Sequence, residues 1–390
     1  MEVRIGFIGN VDSGKSSSIS VLVHKELDDG RGAARSRVFR FPHELKSGRT
    51  SSIGAHYLHN GDDVLILYDL AGHEKYLKTT IKGLSGYYID YAVVVIGANE
   101  GKVSKMTKEH LGLAAAMRIP IIIILTKTDM ANEEITKKTI ESIRKTLKSL
   151  PQKMLFEVKD DFETVVNLCK DGIRKIAPFF RISNKTGDGI DIFRKFLMSL
   201  RSHYVWNDMT SAVFRRFDTY HVKGIGCVMS GIVSDGVIKV GDKLKIGPYN
   251  GWNDIVVKSI HNNFRENIVE LRAGHSGCLA IRLSSTRKMR SGIVICKEPV
   301  ITNDFDADVY IFNTQTTIKK GYSPVVNCRT TVQSAEIKDI YDNDVLRCGS
   351  RSRVRFSFSH RPEMIGVGDM IIFREGTTRG VGKILRTNFE

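Results

Sequence analysis

Val3-Arg4-Ile5-Gly6-Phe7-Ile8-Gly9-Asn10-Val11-Asp12-Ser13-Gly14-Lys15-Ser16 decides the fold of this chain. Residues 3–8 form a short apolar run of strand length. Gly9, four free positions, then Gly14-Lys15-Ser16 match the phosphate-binding loop pattern, in the strand–turn–helix context the pattern requires. The glycines let the backbone curl so that its N–H groups face phosphate oxygens. The helix expected from Lys15 adds its positive N-terminal end. Gly9, Asn10, Val11, Asp12, Ser13, Gly14, Lys15, Ser16 and Ser17 are therefore assigned to the phosphates. Lys15 is expected to reach the β- and γ-phosphates and Ser16 to hold Mg²⁺.

Working outward, apolar runs at 3–8, 64–70, 92–96, 121–125 and 179–182 alternate with helical patterns up to about residue 203. Ile140, Ile143, Leu147 and Leu150 recur at three- and four-residue spacing, which predicts a helix. Continuous apolar strands alternating with helices predict an α/β domain, a mostly parallel sheet with helices on both faces. Ligands of such sheets bind at the C-terminal strand ends. After a linker at 203–209, short alternating runs are broken by turns such as Gly224-Ile225-Gly226, Asp235-Gly236 and Asn250-Gly251. This texture predicts two all-β barrel domains. The expected boundaries are 1–203, 210–299 and 303–390.

The 390 residues are 42% hydrophobic, enough for full cores. No apolar run approaches a membrane span, and the first strand begins directly after Met1, so neither a membrane segment nor a signal peptide is expected. Cys169, Cys227, Cys278, Cys296, Cys328 and Cys348 are scattered without a Cys-x-x-Cys pair. Their spacing disfavours a zinc site and suits a reducing cytoplasmic setting. The net charge of +16 favours a polyanionic partner, with a basic solvated surface as the plainer reading.

Four further signals complete a nucleotide constellation. Asp69-Leu70-Ala71-Gly72-His73 follows the second apolar run. Asp69 is expected to reach Mg²⁺ through water, and the Gly72 N–H to meet the γ-phosphate. Thr126-Lys127-Thr128-Asp129 follows the run at 121–125. Asp129 accepts both hydrogens of the guanine N1 and N2 positions, a donor pair adenine lacks, and Lys127 lies along the base. Ser183-Asn184-Lys185 places backbone N–H groups for guanine O6. Between the loop and Asp69 stands Gly48-Arg49-Thr50-Ser51-Ser52, a segment positioned to close over the γ-phosphate. Thr50 is assigned the second Mg²⁺ hydroxyl, with a register uncertainty of one residue because Ser51 and Ser52 adjoin it.

These motifs, in this order, resemble the GTPase superfamily and more narrowly the translational GTPases. Gly9-Asn10-Val11-Asp12 is similar to their Gly-His-Val-Asp, and His73 directly follows Asp-x-x-Gly. One GTPase domain followed by two barrels is the order of elongation factor Tu and eukaryotic elongation factor one alpha. Gly224 to Gly231, Gly236 to Asp242, Gly321-Tyr322-Ser323-Pro324 and Arg374-Glu375-Gly376 resemble their barrels. Gly48 to Ser52, Thr126 to Asp129 and Val257 to His261 are most similar to the GTPBP-type GTP-binding protein branch. The resemblance implies GTP and GDP as ligands with Mg²⁺, and hydrolysis with His73 orienting the attacking water. It also implies a monomer acting in translation elongation or quality control, with a ribosome, tRNA or a tRNA-like partner, and an exchange factor.

The chain departs from that family at several points. Val11 matches one residue of the apolar gate that holds the histidine back, but the other gate position is Arg49. Arg49 is either a cation near the γ-phosphate or a residue paired with an acid or RNA. Thr126 replaces the usual Asn and removes an amide donor, so weaker nucleotide affinity is expected. His56 lies near the position of the aminoacyl-pocket histidine but out of register. Arg351, Arg353 and Arg355 alternate, and with Arg282, Arg287, Lys288 and Arg290 they are candidates for tracking an RNA backbone. Edge protection is the competing reading of that row. Two other functions compete with tRNA delivery: a GTP-switched adaptor for RNA or a protein partner, and a nucleotide-binding subunit of a metabolic complex.

Overall fold

The computed structural model describes residues 1–39, 44, 50–61, 63–150, 154–158, 176–249, 251–282, 289–376 and 378–387. The chain divides into two compact units, Met1–Leu84 with Tyr88–His203, and Ser85–Tyr87 with Tyr204–Glu390.

In the first unit β1 (Glu2–Gly9), β3 (Asp63–Asp69), β4 (Tyr91–Gly97), β5 (Ile121–Thr126), β6 (Met154–Glu157) and β7 (Ile176–Arg181) run parallel. Strand β2 (Gly54–Asn60) pairs antiparallel with β3 at one edge, giving the order β2-β3-β1-β4-β5-β7-β6. β1, β4 and β5 are buried along their whole length, which is why they read as unbroken apolar runs rather than alternating ones. One face packs Val3, Ile5, Phe7, Val93 and Ile122 against Ile19 and Leu22 of α1 (Lys15–His24) and Phe193, Phe196 and Leu197 of α6 (Ile190–Ser199). Residues of the other parity, Ile8, Val94 and Ile123, are equally buried. Full burial of each such side chain contributes about 1.5–3 kcal/mol.

Three further helices are α3 (Leu77–Gly86), α4 (Lys105–Ala116) and α5 (Glu133–Leu147), with the single turn α2 (Ala33–Ser36) after α1. Side chains set their starts. Ser104 accepts from Thr107 N at 3.1 Å, and Asn132 accepts from Ile135 N at 2.8 Å with Glu133 and Glu134 in the first turn. In α5, Ile140, Ile143 and Leu147 are buried as their spacing predicts, but the helix stops at Leu147 and Leu150 falls in a turn beyond it. Strands β2 and β6 escaped the sequence reading. β2 carries His56, Tyr57, His59 and Asn60, too polar for an apolar run, and β6 has four residues.

From Tyr204 onward the described residues of the second unit form strands and their connections, with no helix among them. Strands β8 (Val213–Val222), β9 (Gly226–Asp235), β11 (Lys243–Gly247), β12 (Asn253–His261), β15 (Ser276–Ile281) and β16 (Val294–Cys296) form an antiparallel sheet in the order β11-β16-β8-β9-β15-β12. Pairing of β11 with β12 closes it into a six-stranded barrel. Strand β13 (Asn267–Ile268) extends its edge, and β10 (Val237–Lys239) pairs with β14 (Glu270–Arg272) beside it. The second barrel closes as β17 (Asp304–Asn313), β20 (Arg351–Phe358), β19 (Thr331–Ile340), β18 (Val325–Cys328), β21 (Met370–Glu375) and β22 (Thr378–Thr387). The α/β domain followed by two barrels is the architecture the residue patterns predict. Cys227, Cys278, Cys296, Cys328 and Cys348 are free thiols, and Cys169 lies outside the described residues. Among the described residues no helix is long and apolar enough to cross a membrane.

Candidate functional site

The loop after β1 rises where the parallel strands end, and its backbone is shaped by glycine. Gly9 and Gly14 have φ of 145° and 95°. A Cβ at Gly9 would collide with the Val95 carbonyl. Asp12 takes φ 57°, a left-handed turn that aspartate tolerates. Lys15 is buried and folds back over the loop, donating from Nζ to Asn10 O at 2.6 Å and Gly9 O at 3.3 Å. Burial pushes its pKa down, against the pull of Asp69 and Asp12.

At the end of β3, Asp69 meets two hydroxyls from different segments. Ser16 Oγ donates to Asp69 Oδ2 at 2.6 Å and Thr50 Oγ1 donates to the same oxygen at 3.0 Å. The two hydroxyl oxygens lie 3.2 Å apart. Asp69 is buried, and its Oδ1 has no hydrogen-bond partner among the described residues. Burial drives its carboxyl above the usual range, with Lys15 and the two hydroxyls pulling the other way. The hydroxyl next to Ser16 is therefore that of Thr50. Ser51 and Ser52 turn instead to Glu44, whose Oε1 accepts from both backbone N–H groups and both hydroxyls at 2.8–3.3 Å.

Gly72 packs against the lysine: a Cβ there would lie 2.5 Å from Lys15 Nζ and 2.6 Å from Gly9 O. His73 caps the short turn Glu74–Tyr76, its Nδ1 accepting from Lys75 N at 3.1 Å. That bond leaves Nε2 as the ring atom available to a water. Val11, Lys15, Ser16, Ser17, Thr50, Gly72, His73 and Lys127 line one cleft. Arg49 and Gly48 lie outside the described residues.

Thr126, at the end of β5, donates from Oγ1 to Ser13 O at 2.6 Å and to Ile96 O at 3.3 Å. A hydroxyl thus bridges this strand end to the phosphate loop. Ser183 Oγ donates to Asp129 Oδ1 at 2.7 Å, and Lys185 N donates to Ser183 Oγ at 3.2 Å. Asn184 Nδ2 donates to Ser18 Oγ at 3.0 Å, joining the turn after β7 to α1. The two base-side motifs are therefore one hydrogen-bonded body with the phosphate loop.

The structure also places residues that sequence reasoning passed over. Asp28, Gly30, Arg31, Gly32 and Arg35 line the same cleft. The glycine-rich run Asp28-Asp29-Gly30-Arg31-Gly32 was the signal for them. His110, in α4, is fully buried beneath the loop and accepts from Gly9 N at 3.2 Å. Nothing in its helical spacing marks that role.

Arg290, Arg351, Arg353 and Arg355, read as RNA-facing candidates, have partners within the chain among the described residues. Arg351, Arg353 and Arg355 do alternate on β20, but Arg351 pairs with Asp308, Arg355 with Asp306, and Arg353 lies 4.3 Å from the Tyr341 ring centre. Arg290 pairs with buried Glu363 at 2.6 Å. The acids come from the neighbouring strand β17 and from Glu363, distant in sequence, so the charges looked unmatched. Arg282 is exposed, while Arg287 and Lys288 lie outside the described residues. His56 sits mid-strand in β2, opposite Leu67.

Against known proteins, the family model described as the elongation factor Tu GTP binding domain matches residues 2–220. The chain is 36% identical over 421 residues to GTP-binding protein 1 of Xenopus laevis, across 99% of this chain and 63% of that protein. It is 32% identical over 422 residues to GTP-binding protein 2 of Mus musculus, across 98% of this chain and 69% of the relative. It thus spans less than two thirds of the first of these proteins. Among solved structures, translation elongation factor SelB from Methanococcus maripaludis, in complex with the GTP analogue GppNHp, superposes with a TM-score of 0.74 at 20% identity. That match covers 99% of this chain and 79% of the other, and it shows a shared fold.

Proposed function

The chain belongs to the family of the elongation factor Tu GTP binding domain, and from that premise we propose that it binds GTP with Mg²⁺ and hydrolyses it to GDP and phosphate. The observation that carries this reading is the convergence of Ser16, Thr50 and Asp69 within 3.2 Å of one another beside Lys15. Three hard oxygens from separate segments, one on a carboxylate with a second buried oxygen unpartnered, suit a small divalent cation. Ser16 and Thr50 would hold Mg²⁺ directly and Asp69 through water; when bound, the ion would offset the negative charge that develops on the phosphates.

Lys15 and the loop N–H groups of Gly9 to Ser17 would cradle the phosphates, and the Gly72 N–H would read the γ-phosphate. Lys127, Asp129 and the Ser183-Asn184-Lys185 turn would hold guanine, with Thr126 fixing their distance to the loop. In hydrolysis the water oxygen bonds to the γ-phosphorus and the bond to the β–γ bridging oxygen breaks. The electron pair leaves on GDP, and the water proton passes to phosphate. His73 would orient that water. Positioning and electrostatics dominate this chemistry, so losing His73 should lower the rate more than the affinity.

The process we propose is translation, with a ribosome and a tRNA or tRNA-like partner and, where release of GDP limits turnover, an exchange factor. The net charge of +16 and the likeness to proteins of this family favour that reading. The internal pairing of Arg351 and Arg355 favours a second one, a GTP-switched adaptor that recruits a partner without delivering aminoacyl-tRNA. Multiple-turnover GTP hydrolysis with and without ribosomes, with His73→Ala as control, separates the two. Ribosome stimulation that vanishes in the variant supports a translational role. Unstimulated turnover, with slow intrinsic hydrolysis intact, supports the adaptor.

A further inference from the structure

We propose that Arg35 is a phosphate-contacting residue of the nucleotide cleft, exchanging Asp12 for the γ-phosphate when GTP is bound. The inference rests on the nucleotide reading above. Arg35 belongs to the segment after α1, not to the loop or to the segment around Arg49, yet it lines the same cleft as Lys15, Ser16, Thr50 and His73. Its Nη1 lies 3.4 Å from Asp12 Oδ1, so the guanidinium already rests on the phosphate loop.

The segment is built to hold it there. Asp28 Oδ1 accepts from Ala34 N at 2.8 Å, and Asp29 Oδ1 accepts from Arg31 N at 2.7 Å and Ala33 N at 3.1 Å. Asp28 N donates to Asn184 O at 2.8 Å, tying the segment to the base-side turn. Gly32, at φ 98°, leaves the space through which the side chain folds: a Cβ there would lie 2.6 Å from Arg35 Nε. Two aspartates and a glycine thus fix the backbone and clear the path for one guanidinium.

The electrostatics favour exchange. Arg35 and Asp12 are both well exposed, with side-chain exposures of 37% and 69%, so their ion pair is weak. A phosphate offers the guanidinium two parallel charge-assisted bonds, which a single exposed carboxylate contact at 3.4 Å does not. A triphosphate also carries more negative charge than Lys15 and one divalent cation neutralise. With GDP the terminal oxygens are gone and Asp12 again becomes the nearest anion. Arg35 would therefore discriminate GTP from GDP and stabilise charge as the γ-phosphate departs.

The test uses the full chain in three forms, wild type, Arg35→Ala and Arg35→Lys. Single-turnover hydrolysis of radiolabelled GTP is read beside titrations with fluorescent GDP and a non-hydrolysable GTP analogue. The expected result is a rate loss of about tenfold or more in Arg35→Ala, well short of an arginine supplied by a partner. GDP affinity should stay within about twofold while analogue affinity falls, and Arg35→Lys should restore affinity better than rate. Gly32→Ala, which pushes Nε aside without removing it, should reproduce the rate loss. An Arg35→Ala rate equal to wild type overturns the proposal, as does an equal loss of GDP and analogue affinity, which marks a structural role. Failure of the wild-type chain to bind GDP would instead overturn the nucleotide reading itself, and the proposal with it.

Discussion

Replacing His110 should change acid stability in a way that isolates one buried ring. His110 is 0% exposed, accepts from the Gly9 N–H at 3.2 Å, and has an Nε2 with no partner among the described residues. Burial first, and the Lys15 charge second, push its pKa down to about 3. The unfolded chain carries the same ring near its ordinary value of about 6.5. Below that value the unfolded state binds a proton the folded state refuses, so stability falls as pH falls, by about 1.4 kcal/mol per unit. Between about pH 7 and about pH 5 the loss integrates to about 2 kcal/mol for this one group. His110→Ala removes that proton linkage but leaves the Gly9 N–H unsatisfied, which costs about 1–3 kcal/mol. The variant should therefore be less stable at neutral pH and close most of the gap in acid. His110→Asn, whose Oδ1 can accept near the position of Nδ1, should recover part of the neutral-pH loss without the acid slope. Urea unfolding followed by the helical circular-dichroism signal reads the first unit, where nearly all described helical residues lie. If wild type and His110→Ala lose stability in parallel as pH falls, the argument fails.

Gly72→Ala should place a methyl 2.5 Å from Lys15 Nζ, displacing the lysine at a cost of about 1–3 kcal/mol and weakening nucleotide affinity by tenfold or more. Fluorescent GDP titration measures it, and unchanged affinity would refute the packing argument. Thr126→Val keeps shape but removes the hydroxyl from Ser13 O and Ile96 O. It should cost about 1–3 kcal/mol, read as a lower melting temperature together with weaker GDP binding. For Asp69, burial raises the folded-state pKa, so its contribution is present in acid and lost as pH rises through that pKa. Mg²⁺ favours the carboxylate, so the rise in melting temperature on adding Mg²⁺ with GDP should grow with pH in wild type. In Asp69→Asn that pH dependence should disappear.

How much was legible depended on how local each signal was. The loop from Gly9 to Ser16 needs glycines and a lysine within one short segment, so its residues can be read in order. Asp69, Thr126 and Ser183 each follow a buried strand, and the parallel sheet forces those strand ends together. Thr50 could be placed only to within a residue, because Thr50, Ser51 and Ser52 offer the same hydroxyl chemistry. The contact with Glu44 is what separates them. His110 and Arg35 were missed for the opposite reason. A histidine in an amphipathic helix and an arginine after a glycine turn are ordinary residues until the fold brings Gly9 and Asp12 against them.

By itself the sequence determined the alternation of buried parallel strands with helices, the all-β texture that follows it, and the chemical types gathered at the strand ends. Those follow from periodicity and turn chemistry, which act over a few residues. Only the tertiary structure decided which charges are spoken for. Arg351 and Arg355 of β20 meet Asp308 and Asp306 across a strand pair, and Arg290 meets Glu363 across 73 residues of chain. Coulomb attraction and burial depend on distance in space, and a linear count of charges carries no such distance.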